Sequence, residues 1–446
     1  MNLQYIFSLE DLLIGVIWAI ILLAIGFMVQ SNNRGKDEAY KWFMPNLLFK
    51  MGMGFFFGFT FVKILGYGGD TVAYWDGAVK LNNLFWESPS AYFDELLTTP
   101  NRSTLSVNFS YKTGFPPGWI YYEPESFFVS KVLSVFTFLT FKSFTALTFL
   151  CSYFAAIASF RLFQLVRNYR FTKERYMAIA TLFIPTVAFW CSGASKDTLI
   201  VFGLYFLLYY LFALFDRSRK FTYTNLFWVF FFTWFLAQMR PFMIVAISIP
   251  LIFSFGFAYI NRLQSRIIVS TFKFLIIVAG IGVISYVTIN DVIPMGLGDD
   301  YMEELAVTQQ DFSANTTYGG PRYDLGISDF SPSAMVTAAP LAIITGLYRP
   351  FLWEAQGPLL LMSGLENFIL ILLTLGFFFK RGNIRKHLRY VTENEFLVFA
   401  LIFVILFAFF IGFSAGLFNV LVRFKAPLLA FLVLVLVARN PASVRL

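Results

Sequence analysis

The stretch Ile184–Gly203, IPTVAFWCSGASKDTLIVFG, joins two apolar runs through a short polar turn that contains Lys196 and Asp197. Apolar runs recur along the whole chain of 446 residues, which is 58% hydrophobic and only 13% charged. Soluble domains are about 45–50% apolar and about 25% charged, so a water-soluble fold could not bury this much apolar surface. We therefore predict an all-α polytopic membrane protein, in which a charged turn needs a specific reason.

Apolar runs of about 18 residues or more predict about eleven transmembrane helices in one integral membrane domain, residues 1–446. The predicted spans are residues 11–30, 44–65, 144–165, 176–192, 198–215, 224–239, 242–260, 269–289, 358–379, 395–413 and 417–437. The first run, Leu12–Val29, lacks a basic start and a small-residue cleavage site, which argues against a signal peptide. Cys151 and Cys191 lie in apolar runs and are expected to pack in the core.

The positions of the cations predict the topology. Most of the 34 lysine and arginine residues lie in alternate loops between the predicted spans and in the C-terminal tail. Because cations concentrate on the cytoplasmic side of membrane proteins, the N-terminus is expected outside and the C-terminus in the cytoplasm. The SGASKD turn then lies on the outer side. The net charge of +8 follows from this topology, so no nucleic-acid partner is expected.

Two long outer segments are predicted, residues 66–143 and 290–357. In the first, GGDTVAYWDGAVKLNNLFW and SPSAYFDELL have the pattern of amphipathic helices at the membrane interface, and SFFVSKVLSVFTFLTF that of an interfacial or re-entrant helix. The second segment contains an acidic part that is either a solvated surface or a cation site, and no metal site is assigned to it. Its acidic residues are Asp299, Asp300, Glu303 and Glu304.

Charged residues inside the spans, or at their outer ends, are the candidate functional residues. A charge within a span costs about 2.5–3.5 kcal/mol and usually faces a cavity or a partner. The shared position of these residues near the outer leaflet predicts one polar cavity that opens outward. The cations are Lys196, Arg240, Arg349, Arg423 and Lys425, and the accompanying carboxylates are Asp70, Asp76, Asp197, Glu354 and Glu366. Arg322 and Asn419 are further candidates for substrate binding.

Each motif in the first half of the chain has two interpretations. Asp70 either caps a helix start or acts as a catalytic or ligand-orienting carboxylate, with Asp76 as the second choice. Lys196 and Asp197 either form a surface ion pair, which would contribute little, or belong to the cavity. Arg240 either snorkels toward the headgroups or binds the substrate.

The motifs near the C-terminus also have two interpretations each. Arg349 and Glu354, in GLYRPFLWEAQ, either pair with each other or position a substrate. In RFKAP, Arg423 and Lys425 lie within the outer half of the last predicted span and precede Pro427, so neither can snorkel far. For these two cations the functional interpretation is favoured.

The residue types restrict the chemistry. Arginine binds phosphate through two parallel hydrogen bonds and lysine adds a point charge, so several cations would suit a lipid diphosphate. The only histidine, His387, lies in a predicted cytoplasmic loop. A histidine base or a histidine-ligated metal on the outer side is therefore excluded, which argues against membrane-bound O-acyltransferases and O-antigen ligases. No GxxxxGK[ST] phosphate loop occurs.

Three stretches together resemble a known family: GDTVAYWDGA, EPESFFVSKVLSVF, and the last pair of spans with Asn419, Arg423 and Lys425. The chain resembles bacterial polysaccharide polymerases of the Wzy and EpsG type and, more broadly, GT-C lipid-sugar glycosyltransferases. The resemblance implies glycosyl transfer at the outer leaflet of the bacterial inner membrane, between two lipid-linked saccharides. One feature departs from the GT-C pattern, because the aspartate loop follows the second predicted span rather than the first.

The resemblance also implies roles for residues. The essential aspartate would be Asp70 or Asp76, acting on the acceptor hydroxyl, and no cofactor is implied. The family's phosphate-binding arginines would be Arg240, Arg349 and Arg423. Our own hypothesis is that Arg423, Arg240 and Lys196 stabilise the departing diphosphate, and that Arg349 and Glu354 position the saccharide. Two other classes remain open: a transporter or flippase of lipid-linked sugars, and a non-catalytic membrane subunit of an envelope complex. The sequence shows no internal two-fold repeat of the kind that transporters often have.

Overall fold

The computed structural model describes residues 3–215, 222–260, 320–326, 332–379 and 384–439. These residues form helices, and the only β-type pairing among them is a single bridge between Arg322 and Leu417. Within these described ranges, seven helices are long and apolar enough to cross a membrane, or eight if one bent pair counts as a span. The all-α architecture expected from the sequence is therefore present, and it fits a multi-pass membrane protein.

The described helices are numbered here in chain order. They are α1 (Leu9–Arg34), α2 (Phe43–Phe59), α3 (Gly69–Glu87), α4 (Pro89–Leu97), α5 (Arg102–Asn108), α6 (Gly118–Tyr121), α7 (Pro124–Thr137), α8 (Phe144–Tyr169), α9 (Glu174–Leu182), α10 (Pro185–Trp190), α11 (Lys196–Phe215), α12 (Tyr223–Ala237), α13 (Phe242–Ile260), α14 (Pro332–Tyr348), α15 (Pro358–Phe379), α16 (Ile384–Glu393), α17 (Glu395–Ser414), α18 (Phe418–Phe424) and α19 (Ala426–Val437). A π-type turn, Thr60–Ile64, extends α2.

Eight of the predicted spans coincide with these apolar helices. They are α1, the stretch Glu38–Ile64 around α2, α8, α11, α13, α15, α17, and the bent pair of α18 and α19. The other three predicted spans do not coincide with a long apolar helix among the described residues. The span expected at 176–192 is two short helices, α9 and α10, and the span expected at 224–239 is the 15-residue helix α12. The span at 269–289 lies outside the described residues, so a count of eleven is not confirmed.

Two compact units make up the chain. Unit 1 comprises Met1–Leu165 and Thr181–Pro241, and unit 2 comprises Val166–Ala180 and Phe242–Leu446. Several sequence predictions lie wholly or partly outside the described residues of these units. They include the basic loops at 216–220 and 261–273, the acidic stretch from Asp299 to Glu304, and parts of the basic segment 380–389, of the C-terminal tail and of the outer segment 290–357.

In unit 1, a buried carboxylate fixes the start of α1 against the start of α8. Asp11 accepts hydrogen bonds from the hydroxyls of Ser143 and Thr145, both at 2.6 Å, and from the backbone N–H groups of Thr145 and Phe7. A fully buried carboxylate is tolerated because these four donors replace its hydration. The two candidate spans α1 and α8 therefore begin at the same level.

The segment between α2 and α8 folds as its own packed layer of helices. Every residue of α3 from position 71 to 78 is buried, and the Ser130 hydroxyl of α7 donates to the Tyr74 carbonyl oxygen at 3.1 Å. The first half of α3 is thus packed on all sides, which differs from the amphipathic pattern expected for it. Helix α4 does show two faces, because Tyr92 and Glu95 are buried whereas Phe93 is exposed.

In unit 2, helices α14 and α17 pack with their backbones unusually close. A Cβ atom at Gly346 would overlap the carbonyl oxygen of Ala408, and one at Gly412 would overlap that of Ala342. Each helix therefore contributes two small residues four positions apart, the spacing that lets membrane helices approach closely. The apolar part of the second predicted outer segment is thus a helix that packs along a candidate span.

The last candidate span is broken rather than straight. Helices α18 and α19 meet at an angle of 62°. Lys425 lies at the break, and Pro427 occupies the first turn of α19. Proline has no N–H to donate and favours the start of a helix, so the sequence KAP ends one helix and begins the next.

Candidate functional site

The SGASKD turn is a buried connection between α10 and α11 in unit 1. The Ser195 hydroxyl accepts from the backbone N–H of Thr198 at 3.2 Å, which caps the start of α11, and the Thr198 hydroxyl donates to the Gly193 carbonyl oxygen. The Ser152 hydroxyl of α8 donates to the Ser192 carbonyl oxygen at 2.7 Å. These bonds replace water around the turn, so the turn is held rigidly and is not a surface loop. We refer to residues 192–197 as the platform.

Three helix starts meet at this platform. The Thr71 hydroxyl, in the first turn of α3, donates to the Ala194 carbonyl oxygen at 2.8 Å. The Lys196 ammonium, at the first residue of α11, contacts the Glu125 carboxylate at 3.1 Å, and Glu125 lies in the first turn of α7. Each helix N-terminus carries a partial positive charge, and three of them together favour an anion.

A second ion pair lies behind the first. Arg240 donates to the Asp197 carboxylate at 3.0 Å, and their side chains are only 7% and 1% exposed. Two interpretations are therefore wrong. Lys196 and Asp197 do not form a surface ion pair, and Arg240 does not snorkel toward the headgroups. Lys196 and Asp197 are neighbours in the sequence but have different partners. Lys196 contacts Glu125 of α7, whereas Asp197 contacts Arg240, which follows α12.

The Lys196 pair is the more accessible of the two. The Lys196 side chain is 12% exposed and the Glu125 side chain 47% exposed. Glu125 is partly hydrated, so the pair is reached by solvent from the side of its carboxylate. The ammonium could then bind another anion without moving the platform.

Asp70 and Asp76 occupy different environments along α3. Asp70 is in the first turn, one residue before Thr71, and the helix is capped by the backbone of Gly68 and not by a side chain. Burial and the nearby Asp70 carboxylate raise the pKa of Tyr67. Asp76 is buried and contacts Lys80 at 3.7 Å on the same helix. Of the two aspartates, only Asp70 is in the first turn that meets the platform.

Unit 2 contains a separate buried cluster around Lys425. The Lys425 ammonium is fully buried and donates to the Asn367 side-chain oxygen and to the Arg349 carbonyl oxygen, the latter at 3.1 Å. The Asn367 amide donates in turn to the Pro350 carbonyl oxygen at 2.9 Å. A buried ammonium needs such acceptors, and here they join α15, the loop after α14 and the break in the last span.

Arg349 is held on two sides within the same cluster. Its guanidinium donates to both oxygens of Glu354, at 3.0 and 3.1 Å from Nε, so the interpretation of a pair is confirmed. The guanidinium also lies over the rings of Tyr323 and Phe418, 5.2 and 5.0 Å from their centroids. These cation–π contacts and the two-oxygen contact fix its orientation.

The remaining predicted residues lie beside this cluster. The segment 320–326 runs along the residues that precede α18, because Tyr323 donates to Gly416 and Phe418 donates to Pro321 through backbone bonds of 3.0 and 3.1 Å. Arg322 forms the bridge to Leu417. Asn419 is exposed and Arg423 is half-buried, both on α18.

The predicted site residues thus fall into two sets, one in each unit. Unit 1 holds Asp70, Asp76, Lys196, Asp197 and Arg240, and unit 2 holds Arg322, Arg349, Glu354, Asn419, Arg423 and Lys425. The single outward cavity expected from the sequence stays a prediction. Within the described residues, no group of three histidine, cysteine or acidic side chains is placed to hold a metal ion.

Three important residues were missed by the sequence reasoning. Glu125 follows a proline at a helix start, which is a signal for a carboxylate at a positive helix end. Lys50 lies within the second predicted span and is only 2% exposed. A charge inside a span usually faces a cavity or a partner, so Lys50 should have been a candidate. Asn367, next to Glu366 in α15, gave no signal beyond a polar residue in an apolar helix.

Comparison with known proteins found no matching family model, no similar curated protein and no similar solved structure.

Proposed function

We propose that this protein transfers glycosyl units at the outer leaflet of a bacterial inner membrane, with a polyprenyl-diphosphate-linked saccharide as donor. The observation that best supports this function is the meeting of three helix starts and Lys196 at one buried platform in unit 1. The proposal includes the orientation inferred from the cations, with the N-terminus outside and the C-terminus in the cytoplasm.

Lys196 is the residue that would contact the diphosphate. Its partner Glu125 is partly hydrated, whereas Arg240 is committed to the buried Asp197. Negative charge accumulates on the diphosphate as its bond to the sugar breaks, and a fixed positive site stabilises that charge more in the transition state than in the bound substrate. Arg240 then serves to hold Asp197 and the start of α11 in place.

Asp70 is the candidate general base. It lies in the first turn of α3, which the bond from Thr71 to Ala194 fixes against the platform. In the proposed step, the acceptor hydroxyl oxygen forms a bond to the anomeric carbon and the bond to the diphosphate oxygen breaks. The hydroxyl proton passes to the Asp70 carboxylate, and the lipid diphosphate leaves with the bonding electron pair.

Unit 2 carries its own polar side chains, and their roles are proposed for that unit by itself. Arg349 and Glu354 are locked together, so their role is to shape the loop after α14 rather than to grip a ligand. Asn419 is exposed and offers an amide to sugar hydroxyls, and Arg423 is half-buried on the same helix. Membrane lipids and other envelope-assembly proteins are the expected partners.

The function can be tested with purified protein in lipid nanodiscs supplied with a synthetic polyprenyl-diphosphate-linked oligosaccharide. Asp70→Asn should lower the rate of chain extension by about 10²–10⁴-fold, the usual contribution of a general base, while donor binding is retained. Lys196→Met should weaken donor binding. Asp94→Asn and Lys112→Met remove the same charges from exposed positions in unit 1 and should change neither quantity.

The outcome separates the proposed function from its alternatives. Products of normal length and rate from both Asp70→Asn and Lys196→Met would overturn the assignment. Donor binding with no extension and no release of lipid diphosphate by the unaltered protein would favour a transporter or a non-catalytic subunit.

A further inference from the structure

Several large apolar side chains in unit 1 are exposed although they belong to no candidate span. Trp86 at the end of α3 is 72% exposed, and Phe141 after α7 is 73% exposed. Phe93 on α4 and Leu139 are also exposed. We refer to these four residues, Trp86, Phe93, Leu139 and Phe141, as the aromatic edge.

Packed rings connect the members of the aromatic edge. The Phe138 ring lies 5.0 Å from Phe85 and 6.4 Å from Trp86, measured between centroids, and Phe85 lies 6.3 Å from Phe93. Leu139 follows Phe138 in the chain. Trp86 and Phe93 therefore lie on one surface supported by packed aromatic rings, and Phe141 lies three residues after Phe138 in the chain.

A strained turn adds Phe141 to this surface. Phe141 and Lys142 both have left-handed backbones, with φ of 51° and 63°, a conformation that costs roughly 1–2 kcal/mol for residues other than glycine. Two bonds to α3 hold the turn: the Lys142 ammonium donates to Asn83 at 2.7 Å, and the Trp75 indole donates to the Lys142 carbonyl oxygen at 2.9 Å. The strained turn and its two bonds therefore fix Phe141 in its exposed position.

The position of the turn identifies what covers the edge. Phe141 lies three residues before α8, and the bonds from Ser143 and Thr145 to Asp11 set the starts of α8 and α1 at one level. Two candidate spans thus begin beside the edge, which puts a bilayer boundary there. Tryptophan is enriched at that boundary, and tryptophan, phenylalanine and leucine are the side chains that interfacial anchors bury there.

We propose that the aromatic edge inserts into the interfacial region of the adjacent leaflet and anchors the layer of helices α3–α7 to the lipid surface. This inference does not depend on the proposed enzymatic function. It makes α4 and the turn at Phe141 a monotopic anchor beside the spanning helices, driven by the burial of apolar side chains among lipid headgroups.

The test places nitroxide labels on single introduced cysteines in the full-length protein. Cys151 and Cys191 are buried, so a thiol reagent should modify only the introduced residue. The variants Trp86→Cys and Phe141→Cys sample the edge, and Ser106→Cys samples an exposed position on α5 in the same layer. The protein is studied in nanodiscs of phosphatidylcholine and phosphatidylglycerol by electron paramagnetic resonance.

Labels at positions 86 and 141 should collide with oxygen, which concentrates in the bilayer, several-fold more often relative to a water-soluble nickel chelate than the label at position 106. Equal ratios at the three positions would overturn the proposal. Labels at 86 and 141 that are immobile and shielded from both reagents would also overturn it, because that result indicates contact with protein rather than lipid.

Discussion

The Arg240 guanidinium and the Asp197 carboxylate are 3.0 Å apart and almost fully buried in unit 1. A buried pair of this kind costs desolvation of both ions, and it is stable only while both partners are present. The pair therefore connects the start of α11 to the residues that follow α12. This connection explains why a charged turn occurs between two apolar runs.

Breaking that pair on one side should destabilise the protein strongly. Arg240→Met or Asp197→Leu alone leaves one buried charge without its partner and should lower the free energy of unfolding by about 3–5 kcal/mol. The double variant should lose much less. Denaturant unfolding in bicelles measures both. The exposed pair Arg389–Glu393 is the matched control, since Arg389→Met should cost less than about 0.5 kcal/mol.

The contact between α14 and α17 should not accept an added methyl group. Gly346→Ala and Gly412→Ala each place a Cβ atom on a backbone carbonyl oxygen of the facing helix, so the helices must separate, at a cost of about 1–3 kcal/mol. Gly376 in α15 has open space around it, and Gly376→Ala should be neutral or slightly stabilising. Similar unfolding temperatures for all three variants would contradict the close approach.

The stability of unit 1 should fall at alkaline pH through Tyr121. Burial, followed by the adjacent Glu95 carboxylate, raises the pKa of Tyr121 above its ordinary value of 10.0. The unfolded chain then releases this proton near pH 10 while the folded protein keeps it, so the contribution to stability is complete below pH 10 and declines above it.

Tyr121→Phe provides the comparison. Below pH 10 this variant should be less stable than the unaltered protein, because the buried Glu95 loses a donor at 3.0 Å. Above pH 10 the difference should narrow, because phenylalanine cannot ionise. Unfolding temperatures measured across this pH range check both statements, and a constant difference would exclude the assignment to Tyr121.

The residues of the cluster around Lys425 should be energetically coupled to one another. Lys425→Met removes a buried donor from Asn367 and from the Arg349 carbonyl oxygen, each of which then lacks a bond worth about 1–3 kcal/mol. The double variant Lys425→Met/Asn367→Leu should lose less free energy of unfolding than the two single variants lose in total. A double-mutant cycle of unfolding free energies measures this coupling, and strict additivity would show that the two residues act independently.

The spans were largely predictable because the length of an apolar run is a local property of the sequence. The exceptions have local causes as well. Pro185 begins α10 and divides the stretch 176–192, and α12 has 15 residues, fewer than a straight crossing requires. The bend at Lys425 had a local signal in Pro427, but its angle depends on packing and could not be predicted from sequence.

The site was predictable only in part. Charges in apolar surroundings marked Lys196 and Arg240, because such charges need a partner. The partners themselves could not be read from the sequence, since Glu125 is 71 residues from Lys196 and Asp197 is 43 residues from Arg240. Proximity in the chain suggested a pair between Lys196 and Asp197, whereas the fold gives each residue a partner on another element.

The buried contacts of Lys425 also bear on how the chain is made. Residues 417–437 carry two cations, and each costs about 2.5–3.5 kcal/mol when a helix enters the membrane alone. The acceptors that relieve one of these charges, Asn367 and the Arg349 carbonyl oxygen, are synthesised earlier. The final segment should therefore integrate by docking onto helices that are already in the bilayer, so the assembly of unit 2 during biogenesis has an obligatory order.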